Sequence, residues 1–159
     1  MSDFKAMSYE HLRLQIGDCR FQIGKLACKR RLTKHINFKS TYMNKDEFKH
    51  RTKFFAINTA KLCKTFSYDP VIKSYIDQVV RSSASVGANY RAACRAKSKP
   101  DFINKMRIVE EEADESLYFF ELLAEFYPAQ REDIKILYKE GNEILSMTVK
   151  SINTAAANK

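Results

Sequence analysis

The stretch Arg81-Ser-Ser-Ala-Ser-Val-Gly-Ala-Asn-Tyr-Arg-Ala-Ala-Cys-Arg-Ala96 lines one face of a helix with small residues and sets arginines at its ends. Small side chains let a second helix come close, so the segment reads as a packing surface. It holds no nucleophile, base or metal-ligand set. It therefore points to a bundle of helices before it points to any chemistry.

Stop-and-start signals divide the chain after Asn44 into four helices. Asn44-Lys-Asp-Glu47 is a capping-box pattern, an Asn cap with Glu three residues on. Behind it Phe48, Phe55, Leu62 and Phe66 recur at sevens and fours, a single helical stripe. Asp69-Pro70 restarts the chain, with Asp as the cap and Pro at the first helical position. Ile72, Ile76, Val79, Ser83, Val86, Tyr90 and Cys94 then alternate spacings of three and four. That predicts a helix of about 25 residues, on the order of 37 Å long. Ser98-Lys-Pro-Asp101 opens the third helix, with Ser98 as cap and an acid in the first turn. Its stripe is Phe102, Met106, Val109, Ala113, Ser116 or Leu117, Phe120, Leu123 and Tyr127, and Pro128 breaks it. The fourth helix runs from about Ala129 through Ile134, Leu137, Tyr138, Ile144, Leu145, Thr148 and Ile152. It is expected to fray in the closing Thr-Ala-Ala-Ala-Asn-Lys, and Gly141 inside it to weaken it by up to ~1 kcal/mol relative to Ala. Connections this short make neighbouring helices antiparallel. The predicted fold is all-α, an antiparallel up-down-up-down four-helix bundle over residues 44–155.

Residues 1–43 form a basic N-terminal extension. Tyr9, Leu12, Ile16, Cys19, Ile23 and Leu26 are spaced for an amphipathic helix over roughly residues 8–32, interrupted by Gly17 and Gly24. A weakly ordered extension and a docked extra helix stand level as readings. Here nine Lys/Arg face three Asp/Glu, whereas residues 44–159 hold nineteen against sixteen. Two thirds of the formal +9 charge thus lies in the first quarter of the chain. Basic proteins favour anionic partners, but for the main domain that reading must rest on clustering. No apolar run approaches the roughly 20 residues of a membrane helix. The N-terminus lacks a secretory pattern, and Cys19, Cys28, Cys63 and Cys94 lack CxxC or zinc spacing. A protein of the reducing cytoplasm, without membrane association, is the expectation.

Bundles can hold di-iron sites built from Glu and Glu-x-x-His on facing helices. Helix three offers Glu110, Glu111, Glu112, Asp114, Glu115 and Glu121, yet His11, His35 and His50 all lie outside helices two to four. No metal or other cofactor is expected. Ser82, Ser83 and Ser85 lie in a helix with no nearby His, and no Gly-x-Ser-x-Gly turn or phosphate-cradling Gly-rich loop occurs. The chain is not expected to be an enzyme. Glu112 and Glu115 flank the stripe through Val109, Ala113 and Ser116, where a carboxylate needs an Arg or hydroxyl partner to offset desolvation. Arg81, Ser82, Ser85 and Asn89 are placed to supply one. Arg81, Ser85, Asn89, Glu112 and Glu115 are thus expected to form a polar network that fixes helix register.

The best functional candidate is a basic cluster. Arg91, Arg95, Lys97 and Lys99 run from the end of helix two into its turn, and Lys105 and Arg107 follow in helix three. Cations at a helix C-terminus suit the helix dipole, which accounts for one or two of these charges but not six around one corner. Grouped there, they suit phosphates without reading sequence. Tyr90 is placed to stack on an exposed base, although its position in the core period favours packing.

Arg81–Ala96, then Asp101-Phe-Ile-Asn-Lys-Met, then Val109-Glu-Glu-Glu-Ala-Asp-Glu-Ser-Leu-Tyr-Phe-Phe-Glu-Leu-Leu, then Glu140-Gly-Asn-Glu-Ile-Leu and Val149-Lys-Ser-Ile complete a specific motif order. It resembles the bacterial four helix bundle protein family, also called the ribosomal RNA intervening-sequence protein family, over about residues 44–155. The resemblance implies a small antiparallel four-helix bundle assembled as a ring-like homopentamer. Members are encoded within insertions in large-subunit ribosomal RNA genes or as free-standing genes. A related branch is the accessory protein of diversity-generating retroelements, which binds nucleic acid and the reverse transcriptase. The family brings no catalytic residues. Its matching positions here, Arg81, Ser85, Gly87, Asn89, Tyr90, Arg91, Glu112, Glu115 and Glu121, read as packing and network positions. Two features depart from it. The family usually begins near Met43, and helix three is acidic enough to offset the basic corner within a ring. The expected function is a non-enzymatic homo-oligomeric bundle that binds RNA or DNA through the basic cluster, without strong sequence specificity. The alternative is a protein-interaction scaffold with no nucleic-acid role.

Overall fold

The chain enters its first helix through a reciprocal cap. The Asn44 side chain accepts from the backbone N–H of Asp46 at 3.0 Å and Glu47 at 2.8 Å, and the Glu47 carboxylate accepts from the Asn44 N–H. This opens α1, Lys45–Cys63, in the computed structural model, which describes residues 44–157. The N-terminal extension and its expected amphipathic helix lie outside the described residues. Asp69 also caps as expected, accepting from the N–H of Val71 at 2.8 Å and Ile72 at 3.3 Å. The chain nevertheless makes a turn at Pro70–Ile72 before regular helix begins, with the Lys73 N–H bonding back to the Asp69 carbonyl at 2.9 Å. Regular helix α2 spans Lys73–Ala93, 21 residues, shorter than the spacing alone implied.

Ser98 caps α3, Lys99–Phe126, accepting from the Asp101 N–H at 3.3 Å, with Pro100 in the first turn. A 3-10 turn, Pro128–Gln130, leads into α4, Arg131–Ala157. The fraying expected from Thr154 onward does not occur as far as Ala157. Ile152 is buried and anchors these last turns to the core.

Each helix packs on its neighbours in sequence, most extensively α2 on α3, and α4 closes the ring against α1. This is an up-down-up-down four-helix bundle, with no strand among the described residues. The expected stripes meet inside. Phe55, Met106, Val109, Phe120, Leu123 and Ile144 are fully buried, each worth roughly 1.5–3 kcal/mol relative to exposure. Phe55 and Phe120 meet edge-on across the centre, with ring centroids 6.2 Å apart. At the end near Pro128, Tyr127 stacks on Phe66 at 4.3 Å and donates its hydroxyl to the Ser67 carbonyl at 2.9 Å. That ties the α1–α2 connection to the end of α3.

Gly141 has a different meaning from the expected weak point. A Cβ there would lie 2.9 Å from Leu117 Cδ2 and 3.1 Å from Phe55 Cζ. It marks a place where α4 comes close to the side chains of α1 and α3. The propensity loss relative to Ala is offset by close packing that a larger residue would break.

Candidate nucleic-acid interface

The end of α2 and the starts of α1 and α3 share one corner of the bundle. Arg91 lies in the last turn of α2 and Arg95 in the turn just after it, and both are exposed, as are Lys97 in the connection and Lys99 at the start of α3. Lys45, the first residue of α1, donates from Nζ to the Cys94 carbonyl at 2.9 Å. It thereby places a cation at the negative end of the α2 dipole. Asp101 organises the turn: its carboxylate accepts from the Lys97 N–H at 2.9 Å and from Lys105 Nζ at 2.5 Å. The Lys105 bond, then the Lys97 N–H, holds the Asp101 carboxyl below its usual range. Arg107 lies about 12 Å along α3 from Lys99, in a groove with Glu110, Glu111 and Asp114 facing Leu145 and Val149 of α4. The structure gathers Arg91, Arg95, Lys97 and Lys99, engages Lys105 with Asp101, and places Arg107 on the α3–α4 side.

Beside Lys45 and Lys99 lies an open recess of about 590 Å³, walled also by Tyr90, Cys94, Ser98 and Phe102. Tyr90 serves two environments. Its ring meets Phe48 edge-on at 4.5 Å and also lines the recess. Burial, and then its hydrogen bond to Cys94, pushes its hydroxyl pKa above the ordinary value, so it stays protonated. Cys63, packed against the core, is pushed up to about 11 by burial, the environment of a small apolar side chain rather than a reactive thiol.

The α2–α3 seam carries the polar residues. Arg81 reaches Glu115 at 2.7 Å and Gln78 at 2.9 Å, and the buried hydroxyls of Ser82 and Ser116 pair at 2.9 Å. Ser85 hydrogen-bonds Glu112. Asn89 instead donates to the Ser85 carbonyl of its own helix at 3.0 Å. Arg81, Ser85, Glu112 and Glu115 thus meet across the seam, while Asn89 stays within α2.

Glu112 is half-buried as a residue, yet its Oε2 is sealed from solvent and has no hydrogen-bond partner. Burial first, then the Glu115 charge, raises its pKa, with Arg81 and Ser85 pulling the other way. A carboxyl raised in the folded state holds its proton more tightly there than in the unfolded chain. Its ionisation penalty is absent below the unfolded pKa and grows as pH rises through both values. Glu112→Gln is therefore expected to raise the melting temperature at pH 7, with the gain fading by pH 4. A variant that melts lower than the parent at pH 7 contradicts this account.

Among the described residues no three His, Cys, Asp or Glu side chains converge as metal ligands. Glu47 and His50 do have Glu-x-x-His spacing, but Glu47 serves the cap and exposed His50 lies beside Phe54, 4.4 Å between ring centroids. No described helix is long and apolar enough to cross a membrane.

The sequence matches the model of the 23S rRNA-intervening sequence protein family over residues 36–150. The chain belongs to this family. A solved structure from Bacteroides thetaiotaomicron, of a protein with unknown function from the S23 ribosomal protein family, is 30% identical, with a TM-score of 0.60. The likeness covers 70% of this chain and 99% of that one. No curated protein matches the sequence.

Two features of this family member escape a reading of the sequence. Lys45 follows the α1 cap and reads only as a helix-start residue. Its signal was topological, since antiparallel packing brings the start of α1 beside the end of α2. Arg51 is the other. It pairs with Glu140 at 2.5 and 2.9 Å and also with Glu143, joining α1 to α4. Nothing in the local pattern marks it.

Proposed function

We propose that this protein is a non-enzymatic, self-associating helical bundle that binds RNA or DNA through Arg91, Arg95, Lys97 and Lys99, without strong sequence specificity. The supporting observation is clustering. These four cations and Lys45 crowd one bundle corner, although residues 44–159 hold only nineteen Lys/Arg against sixteen acids. Lys45 is engaged with the Cys94 carbonyl, and Arg91 lies in the last turn of α2, where the dipole favours it. The dipole does not account for Arg95 and Lys97 beyond the helix end. Exposed cations at a helix end and turn contact phosphates and position a backbone rather than select sequence. The family's link to a ribosomal RNA insertion, and a cytoplasmic setting, fit an RNA partner.

A protein scaffold is the second reading, supported by an aromatic strip on the α2–α3 side. Tyr75 lies 6.1 Å from both Phe119 and Phe126, and Tyr118 and Phe126 are exposed. Such a face suits a further copy of the chain, as in the homopentamer the resemblance implies, or a protein partner such as a reverse transcriptase. The two readings share self-association and differ in nucleic acid.

Titration of an unrelated single-stranded RNA across a salt series separates them. Four phosphate contacts give a slope of log K on log salt of about −3. No binding at low salt, or affinity without a slope, removes the nucleic-acid reading and leaves the scaffold. Light scattering on the same samples reads self-association, and a monomer at micromolar concentration removes that part.

A further inference from the structure

The recess at the basic corner has a composition that the phosphate reading does not use. Its walls include two aromatic rings, Tyr90 from α2 and Phe102 from α3, with Lys45 and Lys99 beside them. Both residues are half-buried, and both line the recess. Ala93 and Ala96 also line it, and side chains that end at Cβ leave the space open. The exposed cations Arg91, Arg95 and Lys97 belong to the same helix end and turn. Charge alone needs no recess and no rings.

We propose that this recess takes one unstacked base of a single-stranded nucleic acid, while Lys45 and Lys99 at its wall and the cations of the adjoining helix end and turn hold the flanking phosphates. The inference rests on the nucleic-acid reading above and adds a strand preference to it. An aromatic wall stacks on any base, because every base has a π face, so the site stays tolerant of sequence. An open volume of about 590 Å³ accommodates a single base. A duplex offers no such base, because its bases are paired and stacked inside, and taking one out costs a few kcal/mol. The corner therefore binds both forms through phosphate and gains the extra stacking contact only from a single strand. Lys45 contributes a second effect. Its bond to the Cys94 carbonyl fixes one wall of the recess, so the site is formed before ligand arrives.

The test compares a single strand of unrelated sequence with the matching duplex of equal length, at one salt concentration, using the full chain. The wild type is expected to favour the single strand by roughly ten-fold. Tyr90→Leu and Phe102→Leu keep apolar bulk and are expected to bring the ratio toward one, leaving duplex affinity unchanged. A second readout needs no variant. Saturating single strand should slow alkylation of Cys94, followed by peptide mass spectrometry, and leave Cys63 unaffected. Equal wild-type affinity for the two forms, or Cys94 alkylation unchanged by bound single strand, overturns the base site while leaving phosphate binding intact. Absence of binding to either form overturns the underlying nucleic-acid reading, and the base site with it.

Discussion

Arg51→Met is expected to destabilise the bundle by about 2 kcal/mol, on the order of 8 °C in melting temperature. Methionine retains much of the arginine stem, so the change removes charge more than packing. Arg51 is only 18% exposed, and its partners Glu140 and Glu143 are 28% and 46% exposed. Breaking a fully buried pair costs about 3–5 kcal/mol, whereas an exposed pair is worth about 0–1 kcal/mol. The Arg51 site lies between these limits. Removing the cation leaves two carboxylates one turn apart on α4, facing an apolar replacement. Adding Glu140→Gln to Arg51→Met relieves part of that conflict and is expected to recover about half the loss, a coupling that two independent sites would not show. Urea unfolding of the four proteins measures it. An Arg51→Met variant within ~0.5 kcal/mol of the parent makes the pair an ordinary surface contact.

The residues that gave the fold away are those whose chemistry is local. Asn44 with Glu47, Asp69 with Pro70, and Ser98 with Pro100 mark helix starts because a cap acts on the N–H groups immediately after it. The apolar stripes were legible for the same reason, since 3.6 residues per turn is a property of one chain segment. The gaps in those stripes were harder to read. Thr52 and Thr59 complete the α1 stripe and are fully buried, yet they look polar in a sequence. Their hydroxyls donate to the carbonyls of Phe48 at 3.0 Å and Phe55 at 2.9 Å, so burial leaves no unmet bond. Gly141 misled for the opposite reason, because propensity is local and the approach of Leu117 and Phe55 is not.

The candidate interface was legible only in part, and the division again follows range. Arg91, Arg95, Lys97 and Lys99 are close in sequence, and a helix end with its turn keeps them close in space. Lys105 is the exception to range, because the Asp101 carboxylate that engages it lies only one turn earlier in the same helix. Arg107 looked equivalent until α4 supplied the other wall of its acidic groove. Lys45, almost fifty residues from Cys94, was visible only through topology. Pairings between distant segments depend on helix rotation and register, which the pattern of one helix does not state.

Replacing Arg91, Arg95 and Lys97 together by Ala is expected to weaken binding of an unrelated single-stranded RNA by roughly 100-fold at 0.1 M salt. The figure follows from counterion release. Each phosphate contact on a single strand contributes about 0.7 to the slope, hence about 0.7 decade of affinity between 1 M and 0.1 M salt, and three contacts give about two decades. The slope itself should fall from about −3 to about −1, and the two proteins should converge as salt approaches 1 M. All three side chains are exposed, so the unfolding free energy should stay within about 0.5 kcal/mol for each substitution, which separates lost binding from lost fold. Arg107→Ala is the internal control. It removes a positive charge from the same chain but from a groove lined by Glu110, Glu111 and Asp114, and it is expected to leave the slope unchanged. A triple variant that keeps the parental slope places the phosphate contacts elsewhere on the molecule. If Arg107→Ala instead lowers the slope as much as one corner cation does, net charge rather than the geometry of the corner governs binding.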